Sequence, residues 1–253
     1  MIIGVSGAGG RMGRLVAETI SDADDLELGP LYDPNHAGSE VAGEIIVSGA
    51  DQMAVADAVV EFTEPDVVMA NLATWRSLGL HTVVGTSGFD AARLEEVERL
   101  WGSGPPNCLI VPNFSIGAIV MMRLAEIAAP NFAAAEVIEL HHDRKADAPS
   151  GTALATAQRI ADAAEQHRSV ESVELVAGAR GADASGVPVH SVRLPGLVAH
   201  QEVLFGATGE TLTIRHDTTD RSAFMPGVLM AIRSVADLGS PVTVGLESIL
   251  GLK

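Results

Sequence analysis

The stretch Ile2-Ile3-Gly4-Val5-Ser6-Gly7-Ala8-Gly9-Gly10-Arg11-Met12-Gly13 decides the fold. Ile2–Val5 reads as a short buried strand and Gly7–Gly10 as a tight turn. Arg11–Ile20 follows as a helix with Met12, Leu15, Val16 and Ile20 on one apolar stripe. Leu26–Tyr32 reads as a second strand ending at Asp33-Pro34. A strand, a glycine turn, a helix and a second strand in this order open a doubly wound parallel sheet. The glycines follow G-x-x-G-x-x-G, because Met12 stands where the third glycine of G-x-G-x-x-G is expected and Gly13 comes next. The physical needs are met all the same. Glycines let the backbone approach a pyrophosphate, and a helix start offers free N–H groups to the anion, with Arg11 adding charge beside it.

A plain structural turn competes with this reading, but the context speaks against it. Asp33 lies about 20 residues beyond Gly13, where a carboxylate can accept hydrogen bonds from ribose hydroxyls. An acid there repels a 2′-phosphate, and Pro34-Asn35-His36 supply no arginine to hold one. NADH is therefore favoured over NADPH, with His36 as a weak phosphate contact.

Outward from this unit, Ala58–Phe62, His81–Val84 and Cys108–Val111 read as strands, and Val67–Leu78 and Arg93–Trp101 as helices. Strands alternating with helices imply a parallel sheet covered on both faces. Gly85-Thr86-Ser87-Gly88-Phe89 follows one of these strands and would face the nicotinamide end, although a plain strand-to-helix loop fits the spacing equally well. The rhythm then changes. Ser115–Ala129 is helical, Ala135–His141 a strand, and Ala153–His167 a long helix. Val189–Leu194, Gln201–Ala207 and Glu210–His216 are strands, with a hairpin turn at Gly206–Gly209. Ala223–Leu238 is a last helix and Val242–Val244 a last short strand. The expected class is α/β: a Rossmann-type doubly wound parallel sheet, plus an α+β substrate domain with a mixed, largely antiparallel open sheet. The expected domains are 1–114, with 222–253 returning to it, and 115–221.

Composition narrows the function. The chain has 253 residues, 33 of them acidic against 16 basic, for a formal net charge of -17. Such a surface repels nucleic acid and anionic membranes, and it forces any anionic ligand onto a local positive site. No apolar run approaches the roughly 20 residues of a membrane span. The single cysteine, Cys108, excludes an intrachain disulfide and a thiolate metal cage. A strand pattern from the first residue, without a basic flank or cleavage site, points to the cytosol.

The run Glu139-Leu140-His141-His142-Asp143-Arg144-Lys145-Ala146-Asp147-Ala148-Pro149-Ser150-Gly151-Thr152 is the candidate site. Strand alternation puts Val137, Glu139 and His141 on one face and Ile138, Leu140 and His142 on the other. Lys145 follows in a polar loop, close enough to converge on the same ligand. Ser150 is a natural N-cap, so the N–H groups of Gly151, Thr152 and Ala153 form a small anion site. A near-neutral acid/base, a cation and an anion-binding helix end suit the reduction of an anionic substrate. Metal ligation competes weakly, since adjacent histidines diverge and no third ligand is at hand. Solvated histidines and a helix cap with no ligand are the other bland readings.

Here the chain resembles the dihydrodipicolinate reductases of bacterial lysine and diaminopimelate synthesis. The matching stretches are Val5–Gly13, Glu61–Pro65, Val84–Phe89, Pro112–Gly117 and Glu139–Ala153, followed by Leu197–Gly206 within Gly178–His216. The run from His141 to Thr152 is highly specific, whereas the glycine loop alone is not. The resemblance implies that 4-hydroxy-tetrahydrodipicolinate, losing water, accepts hydride from NADH or NADPH to give tetrahydrodipicolinate. It implies His141 as proton donor/acceptor and Lys145 as a second proton donor or substrate cation. His142, Gly151 and Thr152 would hold the carboxylates, beside Ser150. The cofactor would lie along Gly7, Ala8, Gly9, Gly10, Arg11, Met12, Asp33, Gly85, Thr86, Ser87, Val111, Pro112, Asn113 and Phe114. The family is typically a homotetramer assembled through the second domain, and its last segment returns to the first. Ser87 replaces the usual second threonine and keeps the hydroxyl. Pro34 follows Asp33 where some members carry arginine, against a strong NADPH preference.

Two alternatives stand beside the reductase. A semialdehyde dehydrogenase needs a catalytic cysteine, for which Cys108 at a buried strand start is poorly placed, and a sugar dehydrogenase could use a lysine and a histidine but gives no reason for two histidines ahead of a capped anion site. A non-catalytic nicotinamide sensor has little use for His141, Lys145 and Ser150–Thr152 together. The ribose assignment makes a prediction: Asp33→Ala weakens NADH binding more than NADPH binding in paired titrations. An unchanged cofactor ratio would sink it.

Overall fold

The computed structural model describes residues 1–164, 170 and 172–252. In chain order the elements begin with β1 (Ile2–Ser6), α1 (Arg11–Ser21), β2 (Glu27–Tyr32), β3 (Glu40–Val41), β4 (Glu44–Val47), β5 (Ala58–Glu61) and α2 (Val68–Ser77). They continue with β6 (His81–Val84), α3 (Ala91–Trp101), β7 (Cys108–Ile110), α4 (Ile116–Ala128), β8 (Ala134–His141) and α5 (Gly151–Ala163). The remainder are β9 (Ala182–Ala184), β10 (Val187–Arg193), β11 (Ala199–Ala207), β12 (Glu210–Thr218), α6 (Met225–Val235) and β13 (Val242–Val244). The chain divides into two compact units, one of Met1–Phe114 with Phe224–Gly251 and one holding Ser115–Ala223.

The first unit is an eight-stranded sheet in the order β13-β7-β6-β5-β1-β2-β4-β3, parallel except for the β3–β4 pair. Its central strands are short β-branched runs buried on both faces, as a doubly covered parallel sheet requires. α2 and α3 pack together on one face, where Trp75, Trp101, Leu72 and Val97 are wholly buried with Val59, Val84 and Cys108. Each such side chain contributes on the order of 1.5–3 kcal/mol. α1 and α6 pair with each other and contact β1, β6 and β7. The strand order runs outward from β1 in both directions, so the crevice at its carboxyl end is the place where this architecture binds ligands.

The α/β class is as the sequence implies, with local departures. The buried stripe of α1 is Gly13, Val16, Ala17 and Ile20, while Met12 and Leu15 are only half-buried. The helix was expected to face its long side chains inward, but Gly13 is the residue pressed closest to the loop. β3 and β4 form an unexpected hairpin on Ala42 and Gly43, at φ 52° and 84°. Without the usual Asn-Gly or Asp-Gly pair, such a turn leaves little trace in the sequence. The last helix begins with a 3-10 turn at Arg221–Phe224 and is α-helical only over Met225–Val235, with proline in its first turn. The expected helix over Ala153–His167 starts earlier, at Gly151, and ends at Ala163; residues 165–167 lie outside the described residues.

The C-terminal segment is tied to the first unit by specific bonds. β13 pairs with β7, Val242 opposite Cys108 and Val244 opposite Ile110. Asn107 donates from Nδ2 to the carbonyls of Val235 (2.9 Å), Ala236 (3.1 Å) and Leu238 (3.3 Å), which the end of α6 leaves without helical partners.

The second unit is a five-stranded sheet in the order β12-β11-β8-β10-β9. β8 and β10 are parallel and the other pairs antiparallel, so the sheet is mixed and largely antiparallel. α4 and α5 pack together, and Ala153, Ala157 and Ile160 of α5 meet Val137, Val189, Val203 and Phe205 of the sheet. Alternation along β8 buries Ala135, Val137 and Glu139. An acid thus occupies a position that packing alone would give to an aliphatic residue.

Close packing of α6 makes Gly227 a test of this architecture. A Cβ there would sit 2.1 Å from the carbonyl oxygen of Phe114. Gly227→Ala is expected to cost about 1–3 kcal/mol in urea unfolding. An unchanged midpoint would mean that α6 is not seated as described.

Candidate active site

In the first unit the glycine loop is held by its own backbone. Gly7 and Ala8 donate to the carbonyl of Tyr32 at 2.9 and 3.3 Å, and Gly10 donates to Gly7 at 3.0 Å. Gly7 has φ 78°, and a Cβ on it would lie 2.4 Å from the Phe62 carbonyl oxygen. A Cβ on Gly13 would lie 2.1 Å from the Gly7 oxygen. Gly13 therefore does the helix-packing work of the third glycine, one position later than the usual spacing. α1 starts at Gly10 with no side chain capping it, which leaves its first amides for an anion. Arg11 is exposed, Met12 half-buried and Ala8 buried.

Asp33 is nearly buried and already engaged. Its Oδ2 accepts from the Gly9 amide at 3.0 Å and contacts Nδ1 of His36 at 2.9 Å, and its Oδ1 accepts from the Asn35 amide at 3.0 Å. The His36 ring covers Gly9, where a Cβ would be 2.2 Å from it. A cleft of about 470 Å³ opens here, bordered by Gly7, Gly10, Tyr32, Asp33, His36, Phe62, Thr63, Glu64 and Asn71, among others. Among the described residues, no lysine or arginine lines it.

Glu61, at the end of β5, is the residue that sequence reasoning passed over. It is fully buried, and its carboxylate accepts from Trp75 Nε1 (2.8 Å), the Thr63 amide (3.2 Å), Asn71 Nδ2 (3.3 Å) and the Thr63 hydroxyl. A carboxylate out of water needs such donors. Two of its partners, Thr63 and Asn71, line the cleft, so the buried acid shapes that wall. Burial pushes the Tyr32 hydroxyl above its ordinary pKa, and the charges of Glu61 and Asp33 push it further.

The strand-end loops converge on the same edge of the sheet. The Gly85 amide donates to the Glu61 carbonyl at 2.9 Å, and the Val111 amide to Val84 at 2.8 Å. A Cβ on Gly85 would come within 2.2 Å of the Phe62 ring and 2.8 Å of the Phe114 ring. Those rings lie 5.5 Å apart. Thr86 is buried and donates to the Thr63 carbonyl at 3.1 Å, whereas Ser87 and Pro112 are exposed and Asn113 half-buried. Among the expected cofactor residues, Gly7, Gly10 and Asp33 line the cleft, and Gly85 and Thr86 adjoin its Phe62–Thr63 wall.

In the second unit, His141 and Glu139 share a face of β8, as alternation requires, and His141 Nδ1 lies 2.5 Å from Glu139 Oε2. Glu139 is fully buried and also accepts two bonds from Arg193, Nη1 to Oε2 at 2.9 Å and Nη2 to Oε1 at 2.8 Å. The Ser150 amide donates to its Oε1 at 3.3 Å. Burial opposes ionisation of Glu139, but the hydrogen bonds from Arg193, Ser191 and His141 outweigh it and hold its pKa below the ordinary value. Burial depresses the pKa of His141; Glu139 opposes the shift, and Lys145 and Arg193 reinforce it.

Ser150 caps α5, its hydroxyl accepting from the Ala153 amide at 3.2 Å. Gly151 at the helix start is exposed and faces open space. Thr152 is half-buried, and its carbonyl accepts from Thr156 at 2.8 Å. Lys145 is bonded to both oxygens of Asp147, at 2.8 and 2.9 Å, and its amide closes a turn onto the His142 carbonyl at 3.2 Å. His142 Nδ1 is buried without a protein hydrogen-bond partner. The run from His141 to Thr152 is thus one local group, an imidazole, an ammonium and a capped helix end. Among the described residues, no three of His, Cys, Asp and Glu gather as a metal set. No described helix is long and apolar enough to cross a membrane.

Cys108 is fully buried at the start of β7, and burial pushes its thiol pKa far up. Thiolate chemistry needs the opposite. The folded chain should not react with a thiol-specific disulfide reagent until denaturant is added. Rapid labelling of the native chain would contradict the burial.

Residues 1–114 match the family described as dihydrodipicolinate reductase, N-terminus, and residues 117–250 that described as dihydrodipicolinate reductase, C-terminus. The 4-hydroxy-tetrahydrodipicolinate reductase of Thermobifida fusca (strain YX) is 50% identical over 256 residues, covering 99% of each chain. That of Nocardia farcinica (strain IFM 10152) is 51% identical over 259 residues, covering 99% of this chain and 98% of its own. Among solved structures, the dipicolinate-bound dihydrodipicolinate reductase from Paenisporosarcina sp. TG-14 is similar, with a TM-score of 0.86 and 35% identity over 98% of this chain and 99% of that one. The apo scyllo-inositol dehydrogenase from Lactobacillus casei shares the fold, with a TM-score of 0.62 and 13% identity over 99% of this chain and 92% of its own.

Proposed function

Because the chain belongs to the dihydrodipicolinate reductase family, we propose that it reduces 4-hydroxy-tetrahydrodipicolinate to tetrahydrodipicolinate, with loss of water, in lysine and diaminopimelate synthesis. The observation that carries this reading within the molecule is the grouping of His141, Lys145 and the Ser150-capped start of α5. A substrate with two carboxylates finds there a cation and helix amides to hold it, and an imidazole to give a proton. The dipicolinate named in the Paenisporosarcina structure is a small dicarboxylate of the same kind.

We infer a nicotinamide cofactor on the first unit. The uncapped start of α1 suits its pyrophosphate, and Asp33 suits a ribose hydroxyl. Gly9, Asn35 and His36 already orient Asp33, and its Oδ1, bonded among the described residues only by the Asn35 amide, keeps room for a further donor. NADH is the favoured form: among the described residues Asp33 and Glu64 border the cleft without a lysine or arginine, so a 2′-phosphate would meet repulsion. When bound, the nicotinamide supplies hydride to the substrate. His141 then serves as the acid/base, Lys145 pairs with a substrate carboxylate in exchange for Asp147, and the amides of Gly151 and Thr152 with His142 hold the rest. Gly85–Ser87 and Val111–Phe114 complete the proposed cofactor surface. The division of labour between 1–114 with 222–253 and 115–221, a homotetramer assembled through the second unit, and a cytoplasmic location belong to the same reading; light scattering tests the oligomer.

Turnover followed by NADH absorbance tests the reaction. Wild type should turn over, and His141→Gln should lower kcat by about 10²–10⁴-fold while NADH affinity stays unchanged. A wild type that binds NADH tightly without turnover would make the chain a sensor. Loss of NADH binding in His141→Gln would place His141 in the other site.

A further inference from the structure

We propose that Arg193 is a positioning residue that fixes the ring of His141 through Glu139 and, with the same guanidinium, anchors the Lys145 loop through the Asp147 carbonyl. The proposal rests on the reading of His141 as the proton carrier. Arg193 ends β10, where the parallel register sets it opposite His141 of β8. Its planar fork meets both oxygens of the buried Glu139, at 2.9 and 2.8 Å. Nη2 also donates to the Asp147 carbonyl at 2.6 Å, and Nη1 to the Val192 carbonyl at 2.8 Å. Asp147 in turn holds the Lys145 ammonium with both carboxylate oxygens. One side chain therefore links the strand that carries the imidazole to the loop that carries the cation.

The link has a chemical consequence. An ionised carboxylate only accepts hydrogen bonds, so the proton on the bond from His141 to Glu139 resides on Nδ1. Nε2 is then the ring nitrogen that accepts or delivers the catalytic proton. Without Arg193, Glu139 would be a sealed carboxylate with Ser191, the Ser150 amide and His141 as donors, and the imidazole, the one donor among them that can carry a charge, would share its proton with it. The ring would lose both its fixed tautomer and its freedom to release that proton. A lysine does not substitute, because one ammonium cannot span two carboxylate oxygens and a carbonyl in a plane.

The charged groups acting on His141 are Glu139 on its own strand, Lys145 in the loop and Arg193 from β10. Its register partner on β11 is the uncharged Ala199. Removing a cation beside a coupled acid–imidazole pair raises the pH at which the pair releases its proton, and removing the anion lowers it. Nitrogen-15 histidine spectra of the full-length protein, with His141 assigned by its absence in His141→Gln, read both tautomer and titration. Wild type should show Nδ1–H. Arg193→Met should titrate about 1 pH unit higher and Glu139→Gln about 1 unit lower. Arg193→Lys should titrate near wild type yet turn over at least about tenfold more slowly, with NADH affinity unchanged.

If Arg193→Met fails to fold, the Glu139→Gln and Arg193→Lys variants still decide the matter. An Nε2–H tautomer in wild type, or a common His141 midpoint in all variants, overturns the proposal. Wild type without turnover would remove the reductase reading instead, while leaving the tautomer and midpoints to be read.

Discussion

A carboxylate sealed from water has to be surrounded by donors, and this requirement organises both candidate sites. Glu61 and Glu139 are wholly buried, and each stands at or near the carboxyl end of a central strand. The protein meets the same cost by two routes. Glu61 is satisfied by neutral donors, an indole, an amide, a side-chain amide and a hydroxyl. Glu139 is satisfied by a guanidinium, an imidazole and a backbone amide at a helix start. Removing one partner of such a group leaves a buried charge unpaired, which costs more than the bond itself contributes. The residues around each acid are consequently fixed as a set, and in the Glu61 set Thr63 and Asn71 line the cleft.

The difference between the two acids matches what each neighbourhood has to do. Around Glu61 no proton has to move, and neutral donors make a rigid wall for the cleft. Around Glu139, on the proposed reading of His141 as the acid/base, the imidazole has to change charge while its orientation stays constant. A permanently charged guanidinium would keep the carboxylate ionised through that change, because Arg does not titrate in the accessible range. Burial and the two nearby cations depress the His141 pKa, and Glu139 opposes them without reversing the shift.

What was legible in the sequence is what depends on neighbours along the chain. The glycine turn, the alternation that sets Glu139 and His141 on one face, and the Ser150 cap all arise within a few residues, and each is present in the structure. Arg193 was not legible, because it reaches Glu139 across 54 residues through a parallel pairing that no local pattern announces. Glu61 was hidden differently: one acid closing the run Ala58–Glu61 reads as a strand meeting solvent, and only the position of Trp75 on α2 shows that it is sealed. The ties of Gly9 and His36 to Asp33 were also invisible, since they depend on a 3-10 turn at Pro34–His36 that folds the imidazole back over the glycine loop. Asp33 is therefore a pre-ordered acid rather than a free one, held by three local donors.

Net charge gives these local arrangements their purpose. At a formal charge of -17 the chain as a whole repels a dinucleotide and a dicarboxylate alike. Attraction has to be short-ranged and built from groups that the overall charge does not cancel. Helix amides at α1 and α5 supply part of it at no cost in surface charge. In the proposed function Lys145 supplies another part, held on Asp147 in an ion pair that a substrate carboxylate would replace. Arg193 is close to the same place, yet Glu139 neutralises it, so its charge orders the site more than it attracts a ligand. On the proposed reading, the cation that binds and the cation that orders are different residues, and Asp147 joins them, its carboxylate on Lys145 and its carbonyl on Arg193.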